Sequence, residues 1–358
     1  MLIYNESYEN ELNRAIEAIN EIDRLNKKKV LITGGNGLVC SHVVDLLHVL
    51  NKKHGAGIEI LLAGRNKDRF AKRFHYLSEG KDYTFIPFDA ATVESLDCDA
   101  DYIIHGAGMG DPKGIMDDPV GVMLSNLNGL NRLLDLSKTP TSEGEKRRIL
   151  FVSSSEVYGK VDGVNGYYKE EQLGTIDNLN PRSCYPMAKK AGETLCVSYA
   201  LEYGADVVIA RPCHTYGPYF SKHDNRVYAQ FLRNVLDDED IVMKSTGEQF
   251  RSWCYVVDCV SALLYILLKG KNCEAYNIAD DTSNVRIREL ADMIALIGGK
   301  KVVVELPNAI ERKGFGVIKK AIFSNKKLSD LGWHNKTSIF DGLRKTICEI
   351  RNSESGNK

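Results

Sequence analysis

Tyr185 and Lys189 stand four residues apart in the run Tyr185-Pro186-Met187-Ala188-Lys189. On a helix such residues share one face, so a phenol and an ammonium can point into a single cleft. A neighbouring ammonium favours the phenolate and lowers the tyrosine pKa, which makes an acid/base usable near neutral pH. The lysine keeps donors to spare for a ribose hydroxyl or a carbonyl. Taken alone, Tyr-x-x-x-Lys also fits a surface lysine and a half-buried tyrosine that share a helix by chance. Its surroundings decide between the two.

Three further stretches accompany the pair. The turn Thr33-Gly34-Gly35-Asn36-Gly37-Leu38-Val39 follows an apolar strand, Lys29–Thr33, and feeds a helix over Val39–Leu50. Glycines 34 and 37 let the backbone turn tightly and approach a pyrophosphate at the positive end of that helix. The strings Ser153-Ser154-Ser155-Glu156-Val157-Tyr158-Gly159 and Arg211-Pro212-Cys213-His214-Thr215-Tyr216-Gly217-Pro218 come later. In this order the four motifs resemble the extended short-chain dehydrogenase/reductases, the NAD-dependent epimerase/dehydratase family of nucleotide-sugar enzymes, over about residues 28–350. Within that family the chain looks most like the UDP-glucuronate decarboxylases (UDP-xylose synthases), with 4-epimerases and 4,6-dehydratases as near neighbours.

The elements that must position these groups are readable as short strands. After Lys29–Thr33 come Ile58–Ala63, Tyr83–Phe88, Tyr102–His105, Arg148–Val152 and Val207–Arg211, with helices over 122–137 and 286–297. Apolar residues Tyr8, Leu12, Ala15, Ile16, Ile19, Ile22 and Leu25 recur at helical spacing, so an amphipathic helix is expected over 8–26. Asp258 is expected to cap the helix that follows Tyr255-Val256-Val257. The fold class is α/β: a Rossmann-type doubly wound parallel sheet of about seven strands, with a smaller C-terminal substrate-binding lobe at the carboxyl ends of the strands. The expected units are an N-terminal helix (1–27), a dinucleotide-binding domain (28–212), a mainly substrate-binding lobe (213–350) and a polar, disordered tail (351–358).

The resemblance assigns cofactor contacts to Gly34, Asn36, Gly37, Leu38, Arg65, Asp89, Ala90, Ala107, Pro212 and the Tyr185/Lys189 pair. Two of its positions depart from pattern. Cys40 replaces the third glycine, whose place is close helix–strand packing, so a small thiol fits there with a slight shift. The second strand ends in Gly64-Arg65-Asn66 rather than in an acid for the ribose hydroxyls. An arginine there can accept the 2′-phosphate of NADP, stack on adenine, or stay solvated. NAD is expected, because the resembling subfamily recycles it, with NADP possible. His105 reads as a packing residue.

For the reactive cleft the resemblance implies Ser154, Tyr185, Lys189 and Glu156 as the catalytic set. Ser155 stands where the dehydratases carry an aspartic acid, which disfavours 4,6-dehydration; the pair Ser155-Glu156 matches the decarboxylases. Arg182, in Arg182-Ser183-Cys184-Tyr185, matches them too, and its guanidinium fork suits a sugar carboxylate. His214 replaces an asparagine that faces substrate. Arg226 and Arg251 match two arginines that converge on a nucleotide diphosphate. An arginine that the decarboxylases carry before Leu331-Gly332-Trp333 is missing from Lys320–Ser324, and Arg312 is a weak substitute. The open alternatives are a 4-epimerase, a 4,6-dehydratase, an NADPH-dependent 4-keto-sugar reductase and a non-catalytic dinucleotide sensor.

Composition bounds the rest. Among 358 residues, 47 basic and 48 acidic side chains give a net charge of −1, with no footprint for nucleic acid. No apolar run reaches membrane-span length, and the first ten residues are polar rather than a signal peptide. Nine scattered cysteines lack metal-ligand spacing, so free thiols, no metal and a reducing, cytoplasmic setting are expected. A homodimer, paired through the 122–137 helix and the helix at Tyr185, is expected from the resemblance.

Overall fold

The computed structural model describes residues 4–110, 112–161, 167–220, 224–305 and 319–355. Helix α1 (Glu6–Glu17) leads into β1 (Lys29–Thr33), α2 (Leu38–His54), β2 (Glu59–Gly64), α3 (Lys67–Arg73), β3 (Thr84–Pro87) and β4 (Tyr102–His105). Then come α4 (Pro112–Asp117), α5 (Pro119–Asp135), β5 (Arg148–Val152), α6 (Cys184–Tyr203), β6 (Asp206–Pro212) and β7 (His214–Tyr216). The remainder is α7 (Val227–Leu236), β8 (Ile241–Met243), β9 (Phe250–Tyr255), α8 (Val256–Lys269), β10 (Ala275–Ile278) and β11 (Asn284–Arg286). It closes with α9 (Ile287–Gly298), β12 (Val302–Val304), β13 (Lys320–Ala321), α10 (Lys326–Asp330) and α11 (Ile339–Ser355).

Seven strands pair in parallel in the order β10-β6-β5-β4-β1-β2-β3. This is a doubly wound sheet, whose chain reverses direction between β1 and β4, the switch point at which such sheets bind dinucleotides. Successive residues of β1 are apolar because both faces are covered. Val30 and Ile32 enter one core with Val43, Leu46 and Leu263 of α2 and α8, whereas Leu31 enters the other with Leu130 of α5 and Cys196 of α6.

The seventh strand, β10, comes from beyond residue 212, so the C-terminal part of the chain helps build the dinucleotide sheet. The rest of that part forms a second sheet, β11-β9-β13 with β7 on β9, and a small pair of β12 with β8. Because β7 runs directly on from β6, it carries the end of the main sheet into the lobe.

Three elements differ from expectation. The N-terminal helix stops at Glu17, Glu21 takes a left-handed φ of 63°, and Ile22–Leu25 is a single 3-10 turn. The apolar spacing nevertheless does its work: Leu12, Ile16, Ile19 and Leu25 are all buried. Asp258 does not cap its helix, which starts one turn earlier after Tyr255. Its carboxylate instead accepts from the backbone N–H of Lys336 and Thr337, at 3.2 and 2.9 Å. The last helix continues to Ser355, into the stretch expected to be tail, and residues 356–358 lie outside the described residues.

Candidate active site

The carboxyl ends of β1, β4, β5 and β6 converge on one cleft. At its floor, Gly34 turns the chain with φ +74°, and a Cβ there would stand 2.6 Å from the carbonyl carbon of Gly106. Only glycine fits both the angle and the space. Gly37 precedes α2 without any side-chain cap. The first N–H groups of this 17-residue helix, from Leu38 onward, are therefore available to an anion. The Oδ1 of Asn36, inside the turn, is buried without a partner. A cradle that a Cβ would fill and an orphaned polar atom both fit the phosphates of a dinucleotide.

Cys40 packs against the strand side of this turn. Its Sγ occupies the space that a Cβ on Gly106 would take, 2.3 Å from that position, so the room comes from the strand side. Burial pushes the thiol up to about 12, which leaves it inert. Further along the slot, Ala107 N–H donates to Thr33 Oγ1 at 3.1 Å, and Asp89 accepts from Ala91 N–H at 3.1 Å. Ala90 lies against Gly129 of α5, where a Cβ would approach to 2.6 Å. Arg65 is exposed at the end of β2, beside Asn66, which caps α3. Pro212 ends β6, half-buried.

β5 delivers Ser153 to Glu156. Ser154 caps the 3-10 turn Ser155–Tyr158, accepting from Glu156 N–H at 3.1 Å, and it lies near enough to Tyr185 to favour the phenolate. Ser155 is buried in the turn. Behind them lies a network that the motifs alone did not reveal. Arg211 of β6 binds Glu193 of α6 through two bonds of 2.9 and 2.6 Å, Ser153 Oγ donates to the same carboxylate at 2.6 Å, and Arg211 also reaches Tyr158 Oη at 2.9 Å. Glu193 sits four residues past Lys189, and that spacing was the available signal. Asn126, inside the helix expected over 122–137, is a second residue that the motifs do not single out. It is fully buried, donates to Val122 O at 2.8 Å, leaves Oδ1 unpartnered, and fills the space above Gly108.

The expected acidification of Tyr185 is not what the structure shows. Burial first, then the Glu156 charge, pushes the phenol up to about 12; Ser154, Arg226 and Arg182 pull it only partly back. Lys189 Nζ stands 5.9 Å from the ring centroid and donates to Val152 O at 2.9 Å. Burial brings this ammonium down to about 8. The reason for the reversal is that the same low-dielectric wall penalises both charged forms. At neutral pH the phenol is therefore intact and the lysine charged.

Arg182 was expected to stand ready for a sugar carboxylate. It instead pairs with Glu156, at 3.2 and 3.3 Å, in a half-exposed contact worth about 0–1 kcal/mol. Arg226, held by Asp224 through Nε (2.9 Å) and Nη2 (2.5 Å), is close enough to Tyr185 for its charge to act on the phenol. His214 is open to solvent on β7, 5.2 Å from the Trp253 ring. The protein around it and the charges of Arg251 and Arg226 bring its imidazole down to about 4. Arg251, two residues before Trp253 on β9, donates to Phe250 O at 3.0 Å. Ser154, Glu156, Arg182, Tyr185, His214, Arg226 and Arg251 thus share one site. Arg312 lies outside the described residues, and Lys320-Ala321 pairs with Phe250-Arg251 of β9 without supplying an arginine. Among the described residues, no group of His, Cys, Asp and Glu could hold a metal, and no helix is long and apolar enough to cross a membrane.

The sequence profile of the NAD dependent epimerase/dehydratase family matches residues 30–279, most of the chain and all seven strands of the main sheet. The chain belongs to that family. It is 30% identical over 319 residues to UDP-glucuronic acid decarboxylase 6 of Arabidopsis thaliana, covering 88% of this chain and 86% of the relative. It is 29% identical over 339 residues to UDP-glucuronic acid decarboxylase 1 of Xenopus tropicalis, covering 94% and 74%. Among solved structures, UDP-glucose 4-epimerase from Thermotoga maritima superposes with a TM-score of 0.74 at 24% identity, over 91% of this chain and 99% of that one. UDP-glucuronic acid 4-epimerase from Bacillus cereus gives 0.74 at 22% identity, over 91% and 99%. The epimerase/dehydratase fold is therefore common ground between this chain and these structures.

Proposed function

We propose that this member of the NAD dependent epimerase/dehydratase family oxidises C4 of a nucleotide-linked uronate transiently and decarboxylates it, with UDP-glucuronate as substrate. The observation that carries the reading is the meeting of Ser154, Glu156, Arg182 and Tyr185 with Arg226 in one cleft, beside the glycine turn. The decarboxylase relatives, which align over nearly the whole chain, support the choice of sugar.

Arg226 and Arg251 bind the diphosphate, with His214 between them kept neutral so that it adds no third charge. Gly34 to Leu38 hold the cofactor's pyrophosphate, and Asp89, Ala90, Ala107 and Pro212 line its slot; Arg65 stands at the adenosine end. Bound NAD supplies the hydride acceptor, and afterwards the hydride donor, for C4. Tyr185 works as its phenolate, the minority form at neutral pH, which the Lys189 charge favours and whose own proton has gone to solvent; it takes the proton of the C4 hydroxyl while Ser154 holds that oxygen. Arg182 exchanges Glu156 for the sugar carboxylate, a trade made cheap by the exposed pair. In the 4-keto acid the C5–C6 bond breaks, CO₂ departs, and its electron pair passes into the enolate at C4, which Ser154 and Tyr185 stabilise. C5 then takes a proton from solvent water in place of the lost carboxylate, and the keto group is reduced, with Tyr185 giving back to O4 the proton it took from there.

A second reading, 4-epimerisation of a nucleotide hexose or uronate, rests on the missing arginine in Lys320–Ser324. The two separate on incubation of purified protein with UDP-glucuronate and with UDP-glucose. Decarboxylation yields CO₂ and a UDP-pentose from the first alone, whereas a C4-inverted sugar of unchanged mass supports the second reading. No turnover of either contradicts both.

The working unit of this reading is a homodimer. α5 and α6 leave Val120, Met123, Leu124, Val197 and Leu201 exposed, an apolar face suited to a second copy. All nine cysteines are free thiols, in keeping with a reducing, cytoplasmic setting.

A further inference from the structure

The N-terminal helix and the buried charge beside it have no part in the chemistry above. Asp45 of α2 is fully buried, and its carboxylate accepts from Tyr8 Oη of α1 at 2.8 Å, from Arg73 Nη2 of α3 at 2.5 Å and from Tyr76 Oη. Such a pair is seldom retained for stability, because packed apolar side chains serve as well. Its consequence is geometric. Arg73, itself almost fully buried, is held with its guanidinium carbon 4.4 Å from the ring of Tyr219.

Tyr219 belongs to the segment that leaves β7 and leads to Arg226. Its neighbour Phe220 meets the Tyr228 ring edge-on at 6.0 Å, Tyr228 lies 5.1 Å from the Arg226 guanidinium, and Tyr228 Oη reaches Asp224 at 3.3 Å. A continuous line of contacts therefore runs from α1 through Asp45, Arg73, Tyr219, Phe220 and Tyr228 to Arg226. The near end of this line is dinucleotide-half structure, and the far end is the proposed diphosphate anchor.

We infer that Arg73 and Tyr219 are positioning residues for the nucleotide-diphosphate site: the guanidinium, fixed by Asp45 and through it by the N-terminal helix, seats the Tyr219–Phe220 segment and so places Arg226. The inference rests on the nucleotide-sugar reading of Arg226, and no group in the line touches the reacting carbons. Its signature is a loss of affinity for the nucleotide end of the substrate without loss of chemistry at saturation.

The test uses the full chain and titrates UDP by calorimetry, alongside NAD binding, melting temperature and steady-state kinetics on UDP-glucuronate. Tyr219→Leu removes the ring face and Arg73→Lys removes the planar cation; each is expected to weaken UDP binding about tenfold. NAD binding, kcat and, for Tyr219→Leu, the melting temperature stay near wild type, while KM rises in step with the UDP dissociation constant. Tyr219→Phe, which keeps the ring, restores wild-type UDP binding. The inference is overturned if Tyr219→Leu binds UDP as well as wild type, or if Tyr219→Phe is as impaired as the leucine variant. Wild-type protein that binds no UDP overturns it together with the nucleotide-sugar reading. Wild-type protein that binds UDP but leaves UDP-glucuronate untouched overturns only the choice of sugar, and the binding series then decides the inference by itself.

Discussion

Lys189 Nζ lies 5.9 Å from the centre of the Tyr185 ring and bonds to Val152 O at 2.9 Å rather than to the phenol. One helical turn brings the two side chains to the same cleft, yet the lysine's fixed partner is a backbone carbonyl at the end of β5. The pair therefore works through charge and placement: the ammonium favours negative charge on the phenol only as the proton leaves it.

Turnover should rise with pH up to about 8, as more of the phenol ionises, and stop rising there because the buried Lys189 loses its proton. Its folded-state pKa is below the ordinary 10.5, so the unfolded chain binds more protons between these values and this group adds stability as pH rises through that window. In Lys189→Arg, whose guanidinium stays charged, turnover should go on rising above pH 8.

On the acid side, burial depresses His105 to about 3 and His42 to about 4, both from 6.5. Each is neutral in the fold, so protons bind the unfolded chain preferentially as pH falls below 6.5. The melting temperature should drop steadily from pH 6.5 towards 4. His42→Phe, replacing a fully buried imidazole in an aromatic setting, should make that slope shallower.

Arg182→Ala should raise KM for UDP-glucuronate about ten- to hundredfold, the range of one lost charge-assisted contact. UDP binding should change little, because the uncharged nucleotide base and the diphosphate meet other residues. Equal weakening of UDP and UDP-glucuronate would remove Arg182 from the carboxylate.

Glu193→Ala leaves the Arg211 guanidinium largely buried and short of a carboxylate, and should cost about 3–5 kcal/mol of stability in denaturant titration. Gly106→Ala sets a methyl 2.3 Å from Cys40 Sγ and should weaken NAD binding; adding Cys40→Gly should restore most of it. Additive losses in the double variant would show that the two positions do not share the space.

Much of the dinucleotide half was legible because strands buried on both faces read as plain apolar runs, as at Lys29–Thr33 and Arg148–Val152. The glycine turn was legible for a local reason, since Gly34 needs its left-handed angle. What stayed hidden depends on tertiary partners. Nothing near Arg182 in the chain announces Glu156, which meets it only after β5 and α6 are packed. The field at Tyr185 is set by burial and by Glu156, not by helical spacing alone. The end of α1 at Glu17 was missed because Ile19, Ile22 and Leu25 keep a helical rhythm while the backbone turns away to join β1.

The central claim is that C4 is oxidised and then reduced within one turnover, with Tyr185 carrying the proton. Purified protein with NAD and UDP-glucuronate deuterated at C4 should release CO₂ and yield a UDP-pentose that keeps the deuterium on C4. Tyr185→Phe should lower that rate about 10²–10⁴-fold while still binding NAD. A decarboxylated product formed equally fast by the phenylalanine variant, or one that has lost its deuterium to solvent, would contradict the account.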